Sequence, residues 1–316
     1  MSEPDELYTA RDLFYVANFD ACITEIRSLP RMKGKTEIEK QGLLYKCQIG
    51  LGKEDEVVKE LQQKSSIGDE ISKDASIQSI LYLASFEMYL KQNATQKLEG
   101  VKEMIESKLL ESEYNSCATF LFVAATIYSK LGLTKEALKL LGNIDSPSFE
   151  HMGLSASMYL SINRLDQAKQ IADVMIERDE DNTLSQLVNS WVSIQTNNEN
   201  LAKEAAYVYQ DMIMKFGATT LLLNGAACAY LVQGNYEDAL DSINQALEIA
   251  KETNPAIDSD TLINAIMCFI HLGKPQEEIM EYLALLTKNY PNHPYVSKIK
   301  GIEEAFAEEQ QTNPGY

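Results

Sequence analysis

YLVQGNYEDALDSINQAL, residues 230–247, sets how the whole chain is read. Tyr230, Gly234, Tyr236, Ala239 and Ala246 stand in it at fixed intervals. Before Gly234, apolar residues fall at Leu223, Ala226, Ala227 and Tyr230; after it, at Ala239, Leu240, Ile243, Ala246 and Leu247. Both sets keep the i, i+3, i+4, i+7 spacing of one helix face. Glycine between them takes the left-handed conformation that ends a helix and lets the chain turn back. Two antiparallel helices joined this tightly must approach closely, so a small residue belongs at the crossing and an aromatic beside it.

The same order recurs along the chain. FLFVAATIYSKLGLTKEALKLL carries Gly132 then Ala137, and MYLSINRLDQAKQIADVM carries Asn163 then Ala168. LYKCQIGLGKEDEVVKEL carries Gly52 then Val57, and FYVANFDACITEI carries Ala17 and Asn18 then Cys22. TLINAIMCFIHLGKPQEEIMEYL carries Gly273 then Glu278, and weaker units turn near Gln92-Asn93 and Asn198–Asn200. A period of roughly 31 to 40 residues falls in the range of helical-hairpin arrays. Pro30, Pro147, Pro255, Pro275, Pro291 and Pro294 sit where helices should begin or end. No alternating β-branched run bounded by hairpin turns is present, so the chain reads as all-α. GKTEIEK (34–40) and SSIGDEISKDAS (65–76) read as loops between helices, and AEEQQTNPGY as a polar tail.

The unit resembles the tetratricopeptide repeat, a helix-turn-helix of about 34 residues. Leu223, Ala227, Tyr230, Gly234, Ala239, Ile243 and Ala246 occupy its slots; Leu121, Ala125, Tyr128, Gly132 and Ala137 match nearly as well. The closing proline is displaced to Pro255, which predicts a second helix about one turn longer than usual. Glu278 stands in an alanine slot, which suits a terminal capping repeat. The resemblance implies a right-handed superhelical solenoid of such hairpins, one domain over residues 1–302, with 303–316 as a frayed polar tail.

Composition narrows the partners. Apolar residues make up 45% of the 316 and charged residues 24%, a globular balance. The net charge of −19 repels nucleic acid and anionic lipid, because phosphate binding depends on Lys and Arg. MSEPDELYTARD is too acidic and polar for a signal peptide, and CATFLFVAATIY (117–128) is too short to span a bilayer. Cys22, Cys47, Cys117, Cys228 and Cys268 are odd in number and lie in apolar helical contexts, which reads as reduced core thiols.

Candidate chemistry is sparse. His151, His271 and His293 are far apart and read as lone surface or groove histidines, not zinc ligands. IGLGKEDE lacks the first Gly and the Ser or Thr of a phosphate loop. DEDNT (179–183) lacks the Gly and closing Glu of a calcium loop and reads as a helix N-cap. No catalytic residue, metal site or cofactor is expected, which leaves partner binding.

In the repeat family the first helix of each unit lines the concave face. That resemblance places Leu7, Arg11, Phe14 and Tyr15 in a groove, then Leu221, Asn224, Cys228, Leu231 and Val232, then Asp260, Ile263, Met267, Ile270 and His271. This face reads as apolar, with scattered polar groups such as Arg11, Asn224 and Lys130, so it lacks the basic clamp of a chaperone adaptor.

The chain as a whole resembles the coatomer ε-subunit family. DELYTARDLFYVANFDACITEI, DEDNTLSQLVNSWVSI, TTLLLNGAACAYLVQGNYEDAL and TLINAIMCFIHLGKP carry the likeness across residues 5–300. It implies a non-enzymatic subunit that wraps the C-terminal region of the coatomer α subunit. The setting it implies is retrograde Golgi-to-ER and intra-Golgi transport: cytoplasmic, on Golgi membranes and coated vesicles, without membrane insertion. The alternative is another tetratricopeptide adaptor: a soluble attachment protein of membrane-fusion machinery, or a chaperone adaptor.

Overall fold

Each turn marked by the spacing centres on a residue with positive φ. These are Ala17, Gly52, Asn93, Gly132, Asn163, Asn197, Gly234 and Gly273. Gly234 closes its helix in the left-handed conformation at φ 72°. Ala17, at φ 60°, does the same despite its Cβ. Five residues after each turn the chain meets the preceding helix: Cys22, Val57, Ala137, Ala168, Ala202 and Ala239 are all fully buried. Leu98 fills the same slot half-buried, and Glu278 is exposed.

The computed structural model describes residues 5–253 and 257–312. Nineteen helices and no strand occur among the described residues. The first seven are α1 (Tyr8–Tyr15), α2 (Phe19–Ser28), α3 (Lys35–Gly50), α4 (Glu54–Ser66), α5 (Glu70–Lys73), α6 (Ala75–Lys91) and α7 (Thr95–Lys108). Next come α8 (Ser112–Asn115), α9 (Ala118–Lys130), α10 (Thr134–Gly142), α11 (Phe149–Ser161), α12 (Leu165–Arg178) and α13 (Thr183–Gln195). The last six are α14 (Glu199–Phe216), α15 (Thr220–Gln233), α16 (Tyr236–Thr253), α17 (Ser259–His271), α18 (Gln276–Asn289) and α19 (Pro294–Thr312). The fold is an all-α solenoid of tetratricopeptide-like hairpins.

The chain forms two compact units, divided between Thr196 and Asn197. In the first, hairpins α1/α2, α3/α4, α6/α7, α9/α10 and α11/α12 stack in order, and α13 packs on α11 and α12. This unit curls far enough for α1 to pack against α13. Its core holds Phe86, Ile105, Phe120 and Ile127, all fully buried, and each contributes about 1.5–3 kcal/mol by leaving water. In the second unit α14 packs on α15, α15 on α16 and α17, and α17 on α18. Leu262, Ile266, Leu286 and Val296 join α17, α18 and α19.

Several local expectations change. Residues 35–40 open α3, and 70–73 form the short α5, so neither stretch is simply loop. The carboxylates of Asp69 and Asp74 cap new helix starts there by accepting from Ser72 N and Ser76 N. Residues 303–312 continue α19 as helix. α16 runs 18 residues to Thr253, and Pro255, expected to close it, lies outside the described residues. Asn182 caps α13 by accepting from Leu184 N, as DEDNT suggests.

Candidate partner-binding surface

A helix that leads each hairpin turns one side inward. In the first unit these leading helices, α1, α3, α6, α9 and α11, with the start of α13, surround a cavity of about 780 Å³. α1 presents Tyr8, Arg11, Asp12 and Tyr15, and α3 presents Glu39, Gly42 and Lys46. Ile80 of α6, Ala118 of α9, Glu150 of α11 and Asn182 complete the wall.

Charge organises this wall. Arg11 donates from Nε to Glu39 at 2.8 Å and is also paired with Asp5. Deeper in, Lys46 donates to one oxygen of Glu150 at 3.3 Å, and the Tyr15 hydroxyl donates to the other at 3.2 Å. The Lys46 ammonium also lies 5.8 Å from the Phe14 ring centre and 5.3 Å from that of Phe122. One lysine therefore joins side chains from α1, α9 and α11. Burial pushes the Glu150 carboxyl up, but the Lys46 charge and the hydrogen bonds from Lys46 and Tyr15 outweigh it and hold it below its ordinary value. Burial, then the Glu150 charge, push the Tyr15 phenol well up, so Tyr15 stays a donor. At the far side Thr183 donates to Asp12 at 2.8 Å, tying α13 to α1.

The inner face of this unit is thus charged, not apolar as its sequence suggests. Lys46 and Glu150 are 104 residues apart, so no spacing signal joins them. Of the expected groove residues, Arg11 and Tyr15 line the cavity. Leu7 is fully buried and offers nothing to a partner. Phe14 packs against Phe19 and Tyr15. His151, expected at a surface or groove, is buried with both ring nitrogens engaged, by Ser148 and by the Ala118 carbonyl.

In the second unit the leading helices are α15 and α17. Leu221 is 37% exposed, Val232 is half-buried, and Leu231 packs against the core. Asn224, expected in the groove, is buried: it donates to Thr261 at 2.7 Å and accepts from Asn264 at 3.0 Å. Cys228 continues this ladder, donating to Asn264 at 3.4 Å. These polar side chains fasten α15 to α17, which leaves them little capacity for a ligand. Ile263 and Met267 are half-buried, Asp260 and Ile270 are exposed, and His271 stacks on Tyr236 at 4.5 Å.

The residues expected to pack the hairpins are inside. Ala125, Ala137, Ala227, Ala239 and Ala246 are fully buried, Tyr128 nearly so, and Tyr230 partly. Gly132 and Gly234 have φ of 78° and 72°. Among the described residues no three His, Cys, Asp or Glu side chains are grouped to hold a metal, and no helix is long and apolar enough to cross a membrane.

A family model described as the coatomer epsilon subunit matches residues 3–312. The chain belongs to the coatomer epsilon subunit family. The coatomer subunit epsilon of Dictyostelium discoideum is 30% identical over 305 residues, 96% of this chain and 96% of its own. That of Caenorhabditis elegans is 27% identical over 309 residues, again 96% of each. A chain in the crystal structure of the APC/C hetero-tetramer Cut9–Hcn1 superposes with a TM-score of 0.63 at 12% identity, over 93% of this chain and 54% of that one. That likeness concerns the fold alone, whereas the epsilon subunit match extends over the sequence of both units.

Proposed function

We propose that the chain is a non-enzymatic subunit of the coatomer coat that binds and stabilises the C-terminal region of the coatomer α subunit. It would serve retrograde Golgi-to-ER and intra-Golgi transport, at Golgi membranes and coated vesicles, reaching them through the coat and not by inserting into the bilayer. The family match over residues 3–312 carries the reading. The inward faces of the leading helices supply the binding surface. Around the first unit's cavity, Asp5, Asp12, Glu39, Asp74, Glu150 and Asp179 outnumber Arg11, Lys35 and Lys46, which favours a partner segment with basic groups. Leu221 and Val232 on α15 offer apolar area, worth about 25 cal/mol per Å² removed from water.

The test is co-purification with a fragment holding the C-terminal region of coatomer α. The wild-type chain is expected to elute with it one-to-one and to melt at higher temperature in the complex. Leu221→Glu with Val232→Glu should abolish both effects while leaving the free chain folded. Asp179→Lys should weaken capture through the cavity. A wild-type chain that does not retain the fragment would remove the proposal. A folded double variant that binds as tightly as wild type would exclude the α15 face.

A further inference from the structure

Cys22 of α2 and Cys47 of α3 are fully buried, and their sulfurs lie 3.3 Å apart. They form a directed chain: the Cys47 thiol donates to Cys22 Sγ, and the Cys22 thiol donates to the Ala10 carbonyl of α1 at 3.0 Å. Ala10, Ile26 and Leu43 pack around them and fix both side chains. The other three cysteines meet oxygens: Cys117 with the Ser76 hydroxyl, Cys228 with the Asn264 amide and Cys268 with the Tyr236 carbonyl. Closing the first pair to a disulfide needs the sulfurs to approach by about 1.3 Å.

We propose that Cys22 and Cys47 are a dithiol modification site, converted by hydrogen peroxide into a disulfide that staples α2 to α3. The hydrogen-bond direction assigns the two roles. The thiol of Cys47 donating to Cys22 holds Cys22 below the ordinary thiol value. The same bond, then burial, pushes Cys47 up. Both sulfurs are buried, so peroxide enters when α1 opens locally; that opening also removes the Ala10 carbonyl, and Cys22, still accepting from Cys47, is the sulfur that ionises and attacks. Its thiolate attacks a peroxide oxygen; the O–O bond breaks, an S–O bond forms and one water leaves. The Cys47 sulfur then attacks the Cys22 sulfur; the S–S bond forms, the S–O bond breaks and a second water leaves. Two thiols lose two electrons to the peroxide, and their protons end in the two waters. A thiol reductant reverses the change.

The experiment treats the purified full-length chain with hydrogen peroxide, alkylates it under denaturing conditions, and maps the peptides without reductant. The expected result is a loss of two hydrogen masses and one linked peptide pair holding Cys22 and Cys47, both reversed by dithiothreitol. In Cys47→Ala, Cys22 loses that donor, so it should react more slowly and stop at a sulfenic acid that dimedone traps. If that variant does not fold, the wild-type map decides alone. The proposal is overturned if Cys22 and Cys47 both remain alkylatable at a dose that oxidises Cys117 or Cys228. It is equally overturned by a disulfide to any other cysteine, or by Cys22 advancing to sulfinic acid unlinked.

Discussion

Single residues in this chain are constrained by what they touch, and glycines show it sharply. A Cβ on Gly225 would lie 2.3 Å from the Tyr209 ring, and one on Gly50 would lie 2.5 Å from the Phe19 ring. Both rings fill helix crossings. Gly225→Ala and Gly50→Ala should therefore each destabilise by about 1–3 kcal/mol through overpacking. Gly100, inside α7, has nothing within 4 Å, so Gly100→Ala should stabilise by about 0.5–1 kcal/mol through helix propensity. Opposite shifts in urea midpoint are the expected pattern; equal shifts would contradict the crossing geometry. Glu150 gives a pH test. Its folded pKa is depressed, so its contribution is full above the ordinary glutamate value of about 4.3 and is lost as pH falls through the lower folded value. Glu150→Gln should cost about 1–3 kcal/mol at neutral pH, and its gap from wild type should close in acid. A gap constant from pH 7 down to acid unfolding would show that the Glu150 charge contributes nothing through Lys46 and Tyr15.

At the scale of elements, the hairpin is the unit of stability. Ala227 and Ala239 face each other's helices across the α15/α16 turn and are fully buried. Ala227→Arg or Ala239→Arg should destabilise by about 2–5 kcal/mol, because neither the volume nor the charge fits a closed crossing. Both variants melting like wild type would mean that the crossing is open. Hairpins are also tied side to side by polar groups. Glu54 of α4 is buried and paired with Lys91 of α6, and Lys130 of α9 donates to Glu87 of α6 at 2.6 Å. The last helix departs from this pattern. Val296 enters the core, whereas Ile302 and Phe306 further along α19 are 57% and 68% exposed.

On the scale of whole units, the first unit is a curved stack whose ends meet. Thr183 and Asp12 are 171 residues apart and share a buried hydrogen bond. Thr183→Val keeps the shape but removes the donor, leaving a buried carboxylate with one partner fewer. The expected cost is about 1–3 kcal/mol, with faster hydrogen exchange in α1 than elsewhere in the unit. Unchanged exchange in α1 would show that this contact does not hold the ends together. The cavity exists because the stack curves, and its wall combines side chains from five helices with Asp179 and Asn182 of the turn before α13.

Turn positions and helix faces were legible in the sequence because both are local. A positive φ is encoded by Gly or Asn at the turn, and a buried face by apolar residues three and four apart. Thus Gly132, Asn163 and Gly234, with Ala137, Ala168 and Ala239 five residues on, mark hairpins without reference to anything distant. Even here Asn197 turns slightly ahead of the expected Asn198–Asn200. The site was less legible. Arg11 and Tyr15 reach the cavity, but Leu7 and Asn224 are consumed by packing, and Lys46 and Glu150 gave no signal. Whether a polar side chain on a leading helix faces a partner or the next helix depends on how neighbouring hairpins are offset. Small offsets accumulate along the stack, and only their sum brings Lys46 to Glu150 and Asp12 to Thr183. Local patterns therefore determined the repeat; the tertiary structure alone decided which charges line its interior, because those pairings join residues that no sequence interval relates.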